Sequence, residues 1–159
     1  MEQRLTFISP EPVKACGQDV IPNTFFFPDL DIAAYRDDMR QDGTVTPARL
    51  RLAMLSAIAE VNAELHDYRL RMMGQGYLTL ADVPAEDVDG ESQRLMFYRR
   101  AVWCWTKANL IERFRDYDAM PEGNKKADLL GNTLDQLWRD VRWAINRVQD
   151  RPHMTVELI

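Results

Sequence analysis

Side chains that could do chemistry are few in this chain and are poorly spaced for it. His66 and His153 lie far apart in the sequence, and Cys16 and Cys104 show no CxxC or Cys/His spacing. No HExxH, GxSxG, P-loop or GxGxxG motif occurs. The sequence therefore predicts a protein that is not an enzyme, has no cofactor and no metal ion, and keeps both cysteines as free thiols.

Three carboxylates at helical spacing form the first group that could bind a cation. Glu60, Glu64 and Asp67 are four and three residues apart, so they share one face of a helix. A di-metal site in a helix bundle would also need Glu-x-x-His pairs on facing helices, and the sequence has none. We therefore expect this acidic row to be a solvated face, with His66 on the same polar side.

The acidic stretch 86–91 has a partial resemblance to a calcium-binding loop. In an EF-hand alignment its first and twelfth ligand positions would be Ala85 and Met96, and neither side chain can ligate calcium. Helix capping explains the acids better, so Asp87 or Asp89 is predicted to cap the helix that follows.

Length and composition are those of one globular domain, with 46% hydrophobic and 28% charged residues in 159. The net charge of −5 disfavours a dedicated DNA-binding protein, which would show a basic face. No apolar run approaches the ~20 residues that span a membrane, and the N-terminus lacks the pattern of a signal peptide. We expect a protein made in the cytoplasm, with no membrane contact.

Helical periodicity dominates the middle of the sequence. We predict an all-α fold, a bundle of three to four helices with two or three long ones and extended N- and C-terminal arms. The predicted units are an N-terminal arm over residues 1–28, a helical domain over 29–151 and a tail over 152–159. The helices are predicted from Ile32 to Arg40 after an Asp29 or Asp31 cap, from Thr46–Pro47 to near Gly74, from about Glu91 to about Tyr117, and from Lys125 to Gln149.

Three consecutive aromatics stand in the segment Asn23–Asp31, which reads NTFFFPDLD. Neither a helix nor a strand can place Phe25, Phe26 and Phe27 on one face, and Pro28 disfavours a helix before it. We expect an irregular, extended strap. One or two rings can be buried in the chain's own core, and the third is predicted to need a partner. The alternative is a strap packed only on its own helices.

The C-terminal segment His153–Ile159, HMTVELI, has the alternation of a strand. No sheet is expected in this chain for it to join. It is predicted to add to another protein by strand pairing. A frayed terminus, or pairing with the chain's own N-terminal arm, is the alternative.

Arginine accounts for sixteen of the twenty basic residues. Arg is enriched and Lys depleted at protein interfaces. Arg142 and Trp143, in the last predicted helix, are therefore candidates for a contact with another subunit, against the alternative of ordinary core and surface positions.

Six segments, in order, carry a family resemblance over residues 22–159: NTFFFPDLD, TPARLR, NAELHDYR, LADVPAEDVDGES, NKKAD and LDQLWRDVRWAINRVQ. Together they resemble the phage head completion protein (GPL) family, which is similar to helical head–tail connector, or adaptor, proteins. The resemblance implies a virion protein that joins the portal after DNA packaging, helps to retain DNA and offers the tail its attachment surface. It also implies a ring of about twelve copies, with packaged DNA passing through without specific binding.

The resemblance, joined to the residue patterns, assigns roles to the candidate residues. Partners would be the portal protein, further copies of the chain, and a tail-completion or neck protein. The roles are portal docking by Met154, Thr155, Val156, Glu157, Leu158 and Ile159; a subunit or neck-protein interface at Phe25, Phe26, Phe27, Arg142 and Trp143; and a channel-facing position for Glu60, Glu64 and Asp67.

A helical DNA-recognition component of the packaging machinery is the alternative function. It would need a basic helix face that fits a groove. The last predicted helix carries basic residues, but Asp128, Asp135, Asp140 and Asp150 are interleaved with them.

Overall fold

Helices make up most of the computed structural model, which describes residues 19–41, 43–115 and 124–152, with side chains 114–115 and 124–130 excepted. Within these residues the helices are α1 (Ile32–Asp38), α2 (Pro47–Glu64), α3 (His66–Gly74), α4 (Gln93–Arg115) and α5 (Asn124–Val148), with a 3-10 turn at Leu80–Asp82. The short strands are β1 (Val20–Ile21), β2 (Leu30–Asp31), β3 (Asp87–Val88) and β4 (Glu91–Ser92).

The starts of α1 and α2 follow the predicted capping. The Asp31 carboxylate accepts a hydrogen bond from the Ala33 N–H at 2.8 Å, and Thr46 Oγ1 accepts one from the Arg49 N–H ahead of Pro47. These side chains satisfy backbone donors that a helix start leaves without partners.

The long helix predicted from Thr46 to near Gly74 is interrupted. Leu65 leaves helical geometry with φ −94° and ψ 8°, which separates α2 from α3. Leu65 and Tyr68 are both buried, so core packing extends across the break. Asp67 lies in the first turn of α3, where a negative charge is favourable.

Two small antiparallel sheets contradict the expectation that the chain has no sheet. Val20 pairs with Asp31 and Ile21 with Leu30, so the end of the predicted N-terminal arm is a strand. Asp87 pairs with Ser92 and Val88 with Glu91.

The predicted capping of α4 by Asp87 or Asp89 is wrong, because both residues belong to a hairpin. Asp89 and Gly90 form its two-residue turn with φ values of 54° and 73°, the left-handed geometry that an Asp-Gly pair favours. The cap comes from Ser92, whose Oγ accepts a hydrogen bond from the Arg94 N–H at 3.3 Å.

Helix α4 is the centre of the fold. It packs against α2 on one side and α5 on another. Its buried side chains include Tyr98, Val102 and Trp103, as expected for a helix that is apolar on most sides. None of the helices, in the part of the chain that is described, has the length and apolarity needed to cross a membrane.

Candidate functional site

The phenylalanine strap divides its three rings between the core and the surface. Phe26 and Phe27 are 1% and 3% exposed, whereas Phe25 is 67% exposed. Phe27 stacks on Tyr98 of α4, with ring centroids 4.8 Å apart, and Phe26 meets Phe27 edge-on at 5.1 Å. Two rings therefore anchor the strap, and the third points away from the core.

A closed set of hydrogen bonds ties the strap to α2 and α4. Asn23 Nδ2 donates to Tyr98 Oη at 2.7 Å, Tyr98 Oη donates to Asn62 Oδ1 at 2.6 Å, and Asn62 Nδ2 donates to Asn23 Oδ1 at 2.9 Å. Asn23 Nδ2 also reaches the Pro28 carbonyl oxygen. Burial raises the pKa of Tyr98, so its hydroxyl remains a donor at physiological pH. This network fixes the backbone that carries Phe25.

A second exposed apolar side chain lies on the segment that is hydrogen-bonded to the strap. The Leu80 N–H donates to the Phe26 carbonyl oxygen at 2.8 Å, which joins the start of the 3-10 turn to the strap. Leu78, two residues earlier, is 72% exposed. The Asp82 carboxylate holds this segment by accepting from the Thr79 N–H and hydroxyl. We call Phe25 and Leu78 the Phe25–Leu78 patch.

The outer side of α2 and α3 carries an apolar stripe that sequence analysis missed. Its members recur three, four or seven residues apart, on the side of the helices away from the buried Leu50 and Val61. The larger side chains are between 36% and 55% exposed. The α2–α3 stripe consists of Leu52, Leu55, Ala59, Ala63, Leu70 and Met73.

The acidic row lies beside this stripe. Glu60, Glu64 and Asp67 are all exposed, as is His66, whose Nδ1 lies 3.5 Å from Arg69 Nη2. The expected solvated face is therefore present. The row and the stripe give one side of α2–α3 an apolar strip with an acidic edge.

Aromatic rings and guanidinium groups alternate along the contact between α4 and α5. Trp143 meets Phe97 edge-on at 5.2 Å, and Arg100 lies over Trp143 at 5.0 Å. Arg147 covers Phe97 at the same distance, and Arg100 Nη2 also contacts the Asp140 carboxylate at 3.3 Å. Trp143 is therefore half-buried within its own chain, while the neighbouring Arg142 is exposed.

Reactive groups do not converge in the described part of the chain. Burial raises the pKa of the Cys104 thiol to about 11, which keeps it protonated and unreactive. Among the described residues no three His, Cys, Asp or Glu side chains are grouped so as to hold a metal ion. A cavity of about 350 Å³ beside Arg94 is lined by side chains with no nucleophile–base pair: Pro84, Ala85, Glu86, Gln93, Arg94, Phe97, Arg147 and Asp150.

Comparison with known proteins identifies the family of this chain. The family model described as phage head completion protein (GPL) matches residues 21–159. The chain belongs to this family. It is 49% identical over 154 residues to the head completion/stabilization protein of Escherichia phage P2, an alignment that covers 97% of this chain and 90% of that protein. No solved structure matches it.

Membership of the GPL family confirms the resemblance given by the six sequence segments. The family is a structural one that completes phage heads, which implies a place in the virion and contacts with other head or tail proteins.

The candidate residues do not gather into one site. The strap, the acidic row and the Arg142–Trp143 pair lie on different elements, and residues 154–159, predicted to dock on the portal, lie outside the described residues. Their roles stay predictions. The Asp89–Gly90 pair, a strong hairpin signal, was available in the sequence. Leu52 and Leu55 mark a second apolar period on α2 beside the core Leu50, and the structure shows that this second face is exposed.

Proposed function

We propose that this chain forms a ring at the portal vertex after DNA packaging, helps to retain the DNA and gives the tail its attachment surface. Its location would be the neck of the virion, and its role structural, with no reaction involved. Membership of the GPL family supports the general role. The exposed apolar surfaces of the described residues support the proposal that the role is one of assembly.

The α2–α3 stripe is the observation that carries the proposal. A surface helix of a globular domain normally presents charged or polar residues to solvent. Here Leu52 and Leu70 are 55% and 51% exposed on helices whose opposite side is already in the core. Contiguous apolar surface on a soluble protein marks a contact with another protein. We assign this stripe to the neighbouring copy in a ring of about twelve subunits, a heterologous contact that closes by rotation.

The Phe25–Leu78 patch is the second proposed contact. Its backbone is fixed by buried rings and by the Asn23–Tyr98–Asn62 hydrogen bonds. A rigid anchor loses little entropy when it is covered. We assign it to a neighbouring subunit or to a tail-completion or neck protein, with Arg142 and Trp143 as further interface candidates.

The acidic row is proposed to face the channel. Carboxylates repel the phosphate backbone, so DNA would pass Glu60, Glu64 and Asp67 without being gripped. Their exposure beside the stripe is consistent with a position at the inner edge of a subunit contact.

The C-terminal tail is the proposed anchor to the portal. Strand addition would supply main-chain hydrogen bonds, while Met154, Val156 and Leu158 would fill pockets. Repetition around the ring would offset the entropy that each tail loses on docking.

The mass of the complex tests the proposal. Native mass spectrometry of the purified chain, alone and with portal protein, should show about twelve copies on each portal ring. A paired Leu52→Ser and Leu55→Ser variant should remain folded, because both side chains are about half exposed, but should bind the portal in fewer copies. Full occupancy by this variant would contradict the assignment of the stripe.

The alternative, a DNA-recognition component, is tested on the same samples. The side chains that could contact DNA phosphates in this alternative are exposed along α5: Arg139, Arg142 and Arg147. A gel shift of linear DNA at moderate salt, abolished by replacing these arginines with Gln, would favour that function over the ring.

A further inference from the structure

The C-terminal end of α5 is held by a buried arginine from the start of α4. The side chain of Arg94 is 10% exposed. Its Nε and Nη2 donate to the Pro84 carbonyl oxygen at 3.1 and 2.9 Å, and Nη1 donates to the Val148 carbonyl oxygen at 2.6 Å. Val148 ends α5, so Arg94 satisfies one of the carbonyl groups that a helix end leaves without a partner.

The same guanidinium also pairs with the carboxylate of Asp150. Asp150 has a left-handed backbone, with φ 53°. The Asp150 N–H donates to the Arg147 carbonyl at 3.4 Å and the Arg151 N–H to the Asn146 carbonyl at 3.0 Å. These two bonds form a Schellman turn, in which glycine usually takes the left-handed position. Aspartate is less favourable than glycine in this left-handed conformation, but it places a carboxylate beside Arg94.

Pro152 then prevents the helix from resuming and restricts the backbone of Arg151. The chain thus leaves α5 at a defined point beside Arg94 and Pro84, and residues 153–159 follow from that point.

We propose that Arg94 and Asp150 form a clamp that sets the position and direction from which the C-terminal segment reaches the portal. The inference rests on the proposed function, in which residues 153–159 are the portal anchor. The effective concentration of a tethered segment at a fixed receptor depends on the position and direction from which it begins.

The clamp is a positioning device more than a source of stability. The Asp150 side chain is 69% exposed, and exposed ion pairs contribute little to folding. The Schellman bonds and the Arg94–Val148 bond close the end of the helix without the carboxylate. Loss of the Asp150 side chain should therefore leave α5 folded, while residues 150–152 lose their side-chain restraint on Arg94 and can leave the helix in other directions.

Asp150→Gly in the 159-residue chain distinguishes a positioning role of the clamp from a stabilising role. Glycine accepts the left-handed backbone without strain, so the melting temperature should be unchanged or slightly higher. The ion pair is lost, and affinity for purified portal rings should fall at least tenfold. Asp89→Gly is the matched control, because Asp89 has a φ of 54° in the hairpin turn, and it should bind like the unaltered chain.

A truncation that removes residues 153–159 distinguishes failure of the clamp from failure of the proposed anchor. If the truncation binds the portal normally, the anchor is refuted and the clamp with it. If the truncation loses binding while Asp150→Gly binds normally, the clamp alone is refuted. A melting temperature of Asp150→Gly that falls in step with its affinity would also overturn the clamp, because the effect would then be on the fold.

Discussion

Replacing Phe25 by serine should weaken assembly far more than folding. Full burial of a phenylalanine side chain is worth about 1.5–3 kcal/mol. Phe25 leaves 67% of its surface exposed in the single chain, so a partner could gain about 1–2 kcal/mol from covering it, a 5- to 30-fold change in affinity per contact. The part already buried limits the loss of folding stability to about 1 kcal/mol or less.

For the neighbouring ring, Phe26, we expect a large effect on folding. Phe26 is 1% exposed, and Phe26→Ala should reduce the free energy of unfolding by about 3–5 kcal/mol. Two adjacent residues of the same type are thus expected to separate folding from assembly, and this makes single changes more informative than altering all three rings together.

Urea unfolding, followed by tryptophan fluorescence, measures the stability of each variant, and native mass spectrometry with portal protein measures assembly. Val88→Ser is the control for loss of an exposed apolar side chain, since Val88 is 44% exposed in the hairpin, outside the strap. Phe25→Ser should lose subunits from the complex and Val88→Ser should not. Normal assembly of Phe25→Ser, or a stability loss equal to that of Phe26→Ala, would refute the reasoning.

Two further predictions concern the buried polar groups. Tyr98→Phe removes the hydroxyl shared by Asn23 and Asn62 and should lower the free energy of unfolding in urea by about 1–3 kcal/mol. The control Tyr35→Phe loses only a 3.5 Å contact with Gln41 and should lower it by less. Equal losses in the two variants would contradict the importance of the network. Burial raises the pKa of Cys104 from 9.0 to about 11, so the stability contributed by the protonated thiol is complete below pH 9 and is lost as the pH rises towards 11. Between pH 8 and pH 10.5 this loss should be about 2 kcal/mol, and Cys104→Ala should show a correspondingly smaller alkaline loss; the same loss in both chains would exclude the thiol as its source.

Sequence periodicity predicted the helices because one apolar face per helix is what a core requires. The α2 start at Thr46–Pro47 and the helical stripe of α5 followed directly from it. The break at Leu65 could not be predicted, since Leu65 and Tyr68 keep the helical spacing on both sides of it. The hairpin is hard to predict for another reason: its acids also suit helix caps, and only the Asp89–Gly90 pair specifies a tight turn instead.

The exposed apolar surfaces are harder to predict than the core, and the reason is physical. A leucine pattern reports that a side chain is apolar, and it does not report whether its own chain or another chain covers it. On α2 the pattern predicts core positions at Leu50 and Met54, which are buried, whereas Leu52 and Leu55 on the same helix are exposed. Only the packing of α4 on one side of α2 decides between them. The strap differs because three consecutive rings cannot share one environment, so the sequence itself implied that one of them lies outside the core.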